Sequence, residues 1–268
     1  MKTQIIAVTN QKGGVGKTTT AISLAYYFAA QNKRTLVVDF DVQGQVSTFL
    51  GIKKANGLYR WLADDVPVGQ VIINARPNLD IIPNDKSNER LVAYMLQASF
   101  REYAVAKGLE AAEDGYDLVF LDMPPSSNVL HVAALVASDY VIIPMLADFA
   151  SLEGVTEEIT TIRSLGRIPG VQPPQLIGIL PTKYEQTTDE TKENIRRLQR
   201  ALGSEQILPP IPTDTHVREA NARGLTIWEY TPKSRAAIGY DNGSSAHNSL
   251  GKVGGYLHLA EITNAMIR

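Results

Sequence analysis

Seven short apolar runs recur along the chain, and their uninterrupted character limits the possible folds more than any other feature. Their interiors are rich in β-branched residues and do not alternate with polar ones, which is typical of strands buried on both faces. The runs lie at 4–9, 34–40, 79–83, 116–122, 139–145, 175–181 and 206–211. Amphipathic segments of helical length separate them, at 18–31, 86–107, 128–137, 151–165, 188–202 and 256–267. This alternation predicts an α/β fold: a doubly wound, mainly parallel β-sheet flanked by helices.

The chain has 268 residues, enough for one large core, and no linker interrupts the alternation. We therefore expect a single domain over residues 1–268. Residues 239–255 differ from the rest because they are rich in Gly, Ser and Asn, and this composition buries too little apolar area to order itself. We expect a mobile surface loop before the last helix, with a partner-binding loop as the alternative.

Composition excludes several classes of chemistry. The chain has no cysteine, which excludes disulfides, thiolate zinc sites, iron–sulfur ligation and a cysteine nucleophile. Its 26 basic and 28 acidic residues nearly balance, so any nucleic-acid surface must be a local patch. The N-terminus shows no leader pattern, and no stretch reaches the roughly 18 apolar residues of a membrane-spanning helix. We expect a soluble, cytoplasmic protein.

The stretch NQKGGVGKTTT (10–20) follows the first strand and opens the first helix, which is the setting of a phosphate-binding P-loop. Glycines let backbone N–H groups converge on phosphate oxygens, and the helix N-terminus adds its positive dipole end. Lys17 would reach the β- and γ-phosphates, and the Thr18 hydroxyl would bind Mg²⁺. Gln11 stands where the strict motif has glycine, and Lys12 follows it. Because one lysine is enough for a P-loop, Lys12 needs an explanation of its own.

Carboxylates end two of the predicted strands. Asp122 ends an apolar run in the Walker B arrangement, where an aspartate holds Mg²⁺ through a water. Asp39 and Asp41 follow the strand next to the P-loop strand. The general behaviour of Asp at turns favours a loop-orienting role for Asp39, with a direct chemical role as the alternative. Asp117 begins its strand and is expected to be solvated.

Several separated motifs together resemble those of one family. They are NQKGGVGKTTTAISLA (10–25), LVVDFDVQGQVST (36–48), YDLVFLDMPPS (116–126), DYVIIPMLADFASLEGV (139–155) and PTDTHVREANARGLTIWEYTPKSRAA (212–237). The sequence resembles the ParA partition ATPases, which carry the deviant Walker A spelling, within the ParA/MinD superfamily. The resemblance covers nearly the whole chain except 239–255, and MPPS departs slightly from the usual spelling. Because the first strand starts almost at Met1, we expect no N-terminal helix-turn-helix, as in the short ParA class.

The resemblance implies a slow, partner-stimulated ATPase that uses ATP and Mg²⁺. It implies catalytic roles for Lys12, Lys17 and Asp41, with Asp41 orienting the attacking water. Adenine would lie against 181–184 and 211–214, contacted mainly by backbone. The absence of a guanine motif supports ATP over GTP, since Glu185 stands where that motif has Asp. The implied nucleotide-binding residues are Lys12, Gly13, Gly14, Val15, Gly16, Lys17, Thr18, Thr19, Lys183, Pro212, Thr213 and Asp214.

The resemblance also implies partners. Two subunits would enclose two nucleotides in a homodimer, with Lys12 crossing to the partner's phosphates; the alternative is an exposed loop lysine. Nonspecific DNA would bind a basic surface, giving a nucleoid-associated protein, and a ParB-like adaptor would stimulate hydrolysis. Residues 192–235 hold 8 Lys or Arg against 5 Asp or Glu, although an ordinary solvated face is the alternative. The candidate DNA-binding residues are Arg196, Arg197, Arg200, Arg218, Arg223, Lys233 and Arg235.

Other function classes fit less well. A MinD-like membrane-associated positioning ATPase, the main alternative, would need a basic amphipathic tail. The last helix has only Arg268 as a cation, and its apolar spacing favours core packing, so no stable membrane association is expected. An iron-protein-like reductase would need cysteines. A metabolic P-loop synthetase would have no evident need of Lys12.

Overall fold

A computed structural model describes residues 2–112, 115–147, 151–185, 189–241 and 248–267. Its centre is a seven-stranded sheet in the order β3-β4-β2-β5-β1-β6-β7. Every neighbouring pair is parallel except β3 and β4, which are antiparallel. The strands are β1 Gln4–Val8, β2 Thr35–Asp39, β3 Ile73–Arg76, β4 Leu79–Ile82, β5 Leu118–Asp122, β6 Tyr140–Leu146 and β7 Gln175–Thr182. The predicted doubly wound, mainly parallel sheet is confirmed.

Helices cover both faces of this sheet. They are α1 Lys17–Ala30, α2 Gln45–Phe49, α3 Gly57–Leu62, α4 Asn88–Gln97, α5 Ala104–Glu110, α6 Val129–Val136, α7 Leu152–Ser164, α8 Asp189–Leu202, α9 Thr215–Ala222, α10 Ile227–Tyr230, α11 Arg235–Ile238 and α12 Gly255–Met266. Side chains of α3 to α8 pack in one core with Ile5 and Ala7 of β1. Those of α1, α2 and α9 to α12 pack in a second core with Ile6 and Val8. Alternate residues of a central strand thus face two separate cores, which explains its uninterrupted apolar character.

Two of the predicted elements are wrong. The helix predicted over 86–107 is broken, because Ala98 is extended and Phe100 adopts a left-handed backbone with φ of 54°. The strand predicted over 206–211 is absent, since the isolated bridge between Ile179 and Ile207 and the separate hydrogen bond from Ile211 N to the Pro181 carbonyl do not make a continuous ladder with β7. Prolines 209 and 210 have no N–H to donate, so a continuous ladder cannot form there.

The edge strand β3 was not predicted. Its polar sequence, INAR, lacks the apolar run that marks the other strands. Arg76 at its end anchors it, since the guanidinium lies 2.6 Å from the Glu229 carboxylate and donates to the Gly224 carbonyl at 3.0 Å. These contacts hold β3 against the α9–α10 segment.

The C-terminal region is ordered on both sides of the segment 242–247, which lies outside the described residues together with 148–150 of the 139–155 motif. Tyr240 and Val253 form an antiparallel bridge, and the Asn248 side chain donates to the Ile238 carbonyl at 2.9 Å. The predicted loop 239–255 is therefore anchored at its base. Helix α12 buries Leu259 and Ala260 in the core, which confirms its predicted packing role. No helix in the described part of the chain is long and apolar enough to cross a membrane.

Candidate functional site

The predicted site residues meet at the carboxyl edge of the sheet, as parallel strands require. Strand β5 lies between β1 and β2, and Asp122 is in register with Val8 on one side and Asp39 on the other. The loop that follows β1 therefore begins beside both carboxylates. This register brings the P-loop lysines and the strand-end acids, far apart in the sequence, to one edge.

The loop between β1 and α1 has the geometry of an anion cradle. Gly14 and Gly16 adopt left-handed conformations with φ of 73° and 91°, which glycine reaches without strain. A Cβ built on Gly13 or Gly14 would meet nothing within 4 Å, so open space faces the backbone there. Helix α1 starts with neither a side-chain cap nor an acidic residue in its first turn. Its N-terminal N–H groups and dipole suit a phosphate group.

Lys17 is buried at the start of α1, with 7% of its surface exposed. Its ammonium donates to the Lys12 carbonyl at 3.0 Å. Burial lowers the pKa of Lys17, while the charges of Asp122, Asp41 and Glu158 act in the opposite direction. Three acids thus act on the ammonium at the start of α1, and the phosphate-binding role of Lys17 stays a prediction.

Lys12 is tied to its surroundings through its backbone and its side chain. Its N–H donates to Asn10 Oδ1 at 2.8 Å, and its Nζ donates to Ser151 Oγ at 3.0 Å. Ser151 is the N-cap residue of α7. Sequence reasoning missed both Asn10 and Ser151 as partners, because nothing in the motif indicates which element packs against the loop.

Asp39 and Asp122 form a buried pair of carboxylates. Burial, followed by the charge of Asp122, raises the pKa of Asp39 well above its ordinary value. Asp39 accepts hydrogen bonds from Asp41 N at 3.0 Å and Val46 N at 3.2 Å. These bonds fix the turn after β2, as the loop-orienting hypothesis for Asp39 predicts.

Both carboxylate oxygens of Asp122 are buried without a hydrogen-bond partner among the described residues. Burial raises the pKa of Asp122 to about 7, while the Thr18 hydroxyl and the Lys17 charge act against that rise. A carboxylate in this condition is suited to bind a cation or its water ligand. No three His, Cys, Asp or Glu side chains form a metal site in the described ranges, so Mg²⁺ would take its other ligands from Thr18, water and bound phosphates.

Asp41 is half-buried at the same edge. Its Oδ1 accepts a hydrogen bond from Gln43 N at 2.9 Å, and its backbone carbonyl accepts one from Asn84 at 3.2 Å. The carboxylate thus caps its own turn, close enough to Lys17 to raise the pKa of that lysine. Two hydrogen bonds hold the loop of Asp41: its N–H donates to Asp39 at the end of β2, and its carbonyl accepts from Asn84 after β4.

A cavity of about 340 Å³ adjoins the P-loop, and its size and mainly apolar character suit a planar base. On one side it is lined by Gly16 of the loop and Thr19 of α1, and on the other by the four residues predicted for the base, Lys183, Pro212, Thr213 and Asp214. Its wall also includes Thr182, which lies in the predicted 181–184 segment, and Val217 and Tyr256, which the sequence analysis did not single out. The Thr182 hydroxyl lies 2.9 Å from the carbonyls of Val15 and Met145, which links β7 to the P-loop.

Asp214 serves mainly as a helix cap. Its Oδ1 accepts a hydrogen bond from His216 N at 3.1 Å, and its Oδ2 accepts one from Ala236 N at 3.2 Å. Burial works to raise the pKa of Asp214, but the hydrogen bonds from Ala236 and His216 outweigh it and lower the pKa. The carboxylate therefore fixes the cavity wall at the starts of α9 and α11.

The basic residues predicted to bind DNA divide into two groups. Arg196, Arg197 and Arg200 lie on α8, are all more than half exposed, and share Glu193 as a partner. The other group, Arg218, Arg223, Lys233 and Arg235, lies on or beside α9 and α11. Helix α8 packs in one core of the sheet, and α9 and α11 pack in the other. Arg218 also lines the 340 Å³ cavity, a position that the sequence did not indicate.

Comparison with known proteins finds a family model and related sequences that match most of this chain. A family model described as an AAA domain matches residues 3–168. The chromosome-partitioning ATPase Soj of Thermus thermophilus is 35% identical, over 89% of this chain and 93% of the relative. The chromosome partitioning protein ParA of Caulobacter vibrioides is also 35% identical, over 88% of this chain and 91% of the relative.

Solved structures agree with the architecture. Apo McdA from Cyanothece superposes with a TM-score of 0.79 at 20% identity, covering 86% of this chain and 94% of that one, and so shows the shared fold. Cobyrinic acid a,c-diamide synthase from Mycobacterium smegmatis, with a bound ATP analogue and magnesium, gives a TM-score of 0.74 at 29% identity. That match covers 83% of this chain and 91% of the synthase. The predicted fold and the predicted family resemblance are both confirmed.

Removing the buried charge of Asp122 should stabilise the nucleotide-free protein at alkaline pH. The pKa is about 7 in the folded chain against an ordinary 3.8, so wild-type stability falls as pH rises through this interval. Asp122→Asn carries no charge to bury. We expect its free energy of unfolding at pH 8 to exceed that of wild type by roughly 4 kcal/mol, an advantage that disappears near pH 4.

Urea unfolding in magnesium-free buffer across this pH range measures the difference. Asp64→Asn, at an exposed position, is the matched control and should follow wild type. A constant difference between Asp122→Asn and wild type at all pH values would contradict the burial argument.

Proposed function

Because this chain belongs to the family of ParA and Soj chromosome-partitioning ATPases, we propose that it is an ATP-dependent positioning ATPase that segregates a plasmid, a chromosome or another cargo. In this proposal two subunits enclose ATP, and the dimer binds nonspecific DNA at the nucleoid. An adaptor protein then stimulates hydrolysis, and the dimer leaves the DNA.

The observation that carries the proposal is the arrangement of charges around Lys17. The ammonium lies at the start of α1 among acids that include Asp41 and Asp122, and the open glycine backbone lies beside it. With nucleotide bound, Lys17 and the loop N–H groups hold the phosphates, and Asp41 orients the attacking water. Thr18 and, through water, Asp122 would hold Mg²⁺, which would supply positive charge next to the transferred phosphoryl group. Positioning and charge stabilisation are the main contributions that phosphoryl transfer needs.

Lys12 supplies a second cation, and we propose that it reaches the phosphates of a partner subunit. Its backbone is fixed by Asn10 and Lys17, whereas its side chain ends on the Ser151 hydroxyl. Crossing to a partner therefore requires the ammonium to leave Ser151 while the loop keeps its shape. ATP would then bridge the two subunits, and hydrolysis would weaken the bridge.

Retention on DNA tests the whole proposal. Wild type should bind DNA-coated beads in the presence of MgATP and not without nucleotide. Lys12→Ala should lose the ATP-dependent fraction, by about tenfold or more, because removing a transition-state or bridging charge commonly costs at least 1.4 kcal/mol. Analytical ultracentrifugation should show the loss of the ATP-dependent dimer in the same variant.

Lys33→Ala is the matched control, since Lys33 precedes β2 at the opposite end of the sheet. It should behave as wild type in both assays. DNA binding that does not depend on ATP, or none at any salt concentration, would contradict the proposal. ATP-dependent binding to liposomes instead of DNA would favour a MinD-like function, for which the described structure offers little support because α12 is packed into the core.

Asp41→Ala should separate ATP binding from hydrolysis. The variant keeps the glycine loop, Lys17 and Asp122, so we expect ATP affinity within about threefold of wild type and hydrolysis reduced by about 100-fold or more. Filter binding of labelled ATP and release of phosphate measure the two quantities. Hydrolysis at the wild-type rate would exclude Asp41 as the residue that orients water.

Charge reversal can show which basic group contacts DNA. If α8 carries the contact, Arg197→Glu with Arg200→Glu should weaken DNA binding and reduce the slope of log affinity against log salt by about one for each lost phosphate contact. Arg223→Glu with Lys233→Glu, on the other face of the sheet, should then leave the slope unchanged. We expect the α8 pair to have the larger effect, since three arginines there share one glutamate. The reverse order would assign the contact to the α9–α11 side.

A further inference from the structure

A buried polar cluster lies behind the P-loop, outside the nucleotide site. Glu158 of α7 accepts a hydrogen bond from the Thr9 hydroxyl at 2.7 Å, on its Oε1. His131 of α6 places its Nε2 at 3.0 Å from the same oxygen. All three residues are fully buried. Their positions in the sequence, far apart and without a motif, gave no sign of this contact.

Two polar atoms of this cluster lack hydrogen-bond partners, and burying them in this way lowers the stability of the folded protein. Glu158 Oε2 and His131 Nδ1 are buried without hydrogen-bond partners among the described residues. Leaving such atoms unpaired costs about 1–3 kcal/mol each, and well-packed apolar residues of similar size often serve a core as well or better. A buried acid and a buried imidazole in this condition need an explanation beyond packing.

The location of the cluster supplies that explanation. Thr9 is the first residue after β1, and Asn10 and Lys12 follow it. Helix α7 meets this segment at three levels: Ser151 accepts from Lys12, Gly154 passes beside Asn10, and Glu158 accepts from Thr9. These positions are three and four residues apart, so they lie on one face of the helix.

The close approach at Gly154 shows how tightly the two elements fit. A Cβ at this position would lie 3.2 Å from Asn10 Oδ1, the atom that accepts the Lys12 N–H. Glycine in a helix interior lowers stability by about 0.5–1 kcal/mol relative to alanine. The close contact with Asn10 is therefore made at the expense of the stability of α7 itself. The α7 face is thus shaped around residues 9–12.

We propose that Glu158, oriented by His131, is a positioning residue for ATP hydrolysis: by accepting the Thr9 hydroxyl it sets residues 9–12 and thereby the two lysines of the P-loop. Thr9 fixes the point at which the chain leaves β1. Asn10 continues from there to the Lys12 N–H, and the Lys12 carbonyl receives Lys17 Nζ. A shift at Thr9 is therefore passed to both ammonium groups.

Electrostatics agrees with this arrangement. Glu158 is among the acids whose charge raises the pKa of Lys17 against the effect of burial. The Glu158 carboxylate, which accepts from Thr9, is therefore also near enough to influence the P-loop lysine. The inference rests on the ATPase activity of the proposed function and not on DNA binding.

Thr9→Val and Thr9→Ser form the first test. Valine removes the hydroxyl at nearly constant size, whereas serine keeps it. We expect Thr9→Val to lower kcat about tenfold, a loss equivalent to 1.36 kcal/mol, with KM for MgATP within about twofold of wild type. Thr9→Ser should recover most of kcat. Equal kcat values for Thr9→Val and wild type would overturn the inference.

Replacing the buried pair His131 and Glu158 as a unit gives the second test. His131→Leu with Glu158→Leu fills the same space with apolar side chains, so the variant should fold with a Tm at or above that of wild type. We expect kcat to fall about as far as in Thr9→Val, and addition of Thr9→Val should cause no further loss, because all three changes break one connection. A wild-type kcat in the stable double variant, or losses that multiply, would overturn the inference.

Ser138→Ala is the matched control. Ser138 lies just beyond α6, and its buried hydroxyl donates to the carbonyl of Ala134 in that helix rather than to residues 9–12. Its kcat should equal that of wild type even if its Tm falls. If Thr9→Val fails to fold, the kcat of His131→Leu with Glu158→Leu, compared with that of Ser138→Ala, decides whether the cluster positions the P-loop. Wild-type ATP hydrolysis without ATP-dependent DNA binding would contradict the proposed function, while the kcat comparison would still decide this inference.

Discussion

Two carboxylates lie side by side at the carboxyl ends of adjacent parallel strands, and the site is built around the cost of burying them. Asp39 and Asp122 are in register on β2 and β5, and neither is accessible to solvent. Each needs hydrogen bonds, a cation or a proton. Asp39 obtains two backbone N–H groups by turning the chain after β2, which also places Asp41. Asp122 has the Thr18 hydroxyl and the Lys17 charge nearby, but neither of its oxygens has a close hydrogen-bond partner among the described residues, and this makes the edge suited to Mg²⁺.

The same edge needs cations that stay in place before nucleotide arrives. Lys17 is held by the Lys12 carbonyl, and Lys12 is held by Asn10 and Ser151. Helix α7 therefore supports the loop from behind, while Thr182 at the end of β7 supports it from the side. A glycine-rich loop alone would have many conformations, and ordering them costs conformational entropy. Contacts from two other elements provide this order in advance, which is the preorganisation that phosphoryl transfer uses.

The positions of the exposed basic residues are harder to predict from the sequence than those of the site residues. The two basic groups lie on helices that pack in different cores, although they belong to one stretch of excess positive charge in the sequence. Arg218 shows the same limit, because it lines the base cavity although its sequence neighbourhood suggested a DNA contact. The sequence distance between charged residues indicates little about which side of a doubly wound sheet they occupy.

The amino-acid sequence by itself determined the layered α/β fold, the P-loop and the strand-end acids, because each depends on local order: buried strands are apolar throughout, and a phosphate loop needs its glycines and lysine in fixed succession. The sequence predicted a strand at 206–211 that is absent, because two prolines prevent a ladder there. It did not predict β3, because that edge strand is polar and has no apolar run. Only the tertiary structure decided that Ser151 receives Lys12 and that Glu158 receives Thr9. These contacts join residues more than a hundred positions apart, and they arise from how α6 and α7 pack against the sheet rather than from any pattern along the chain.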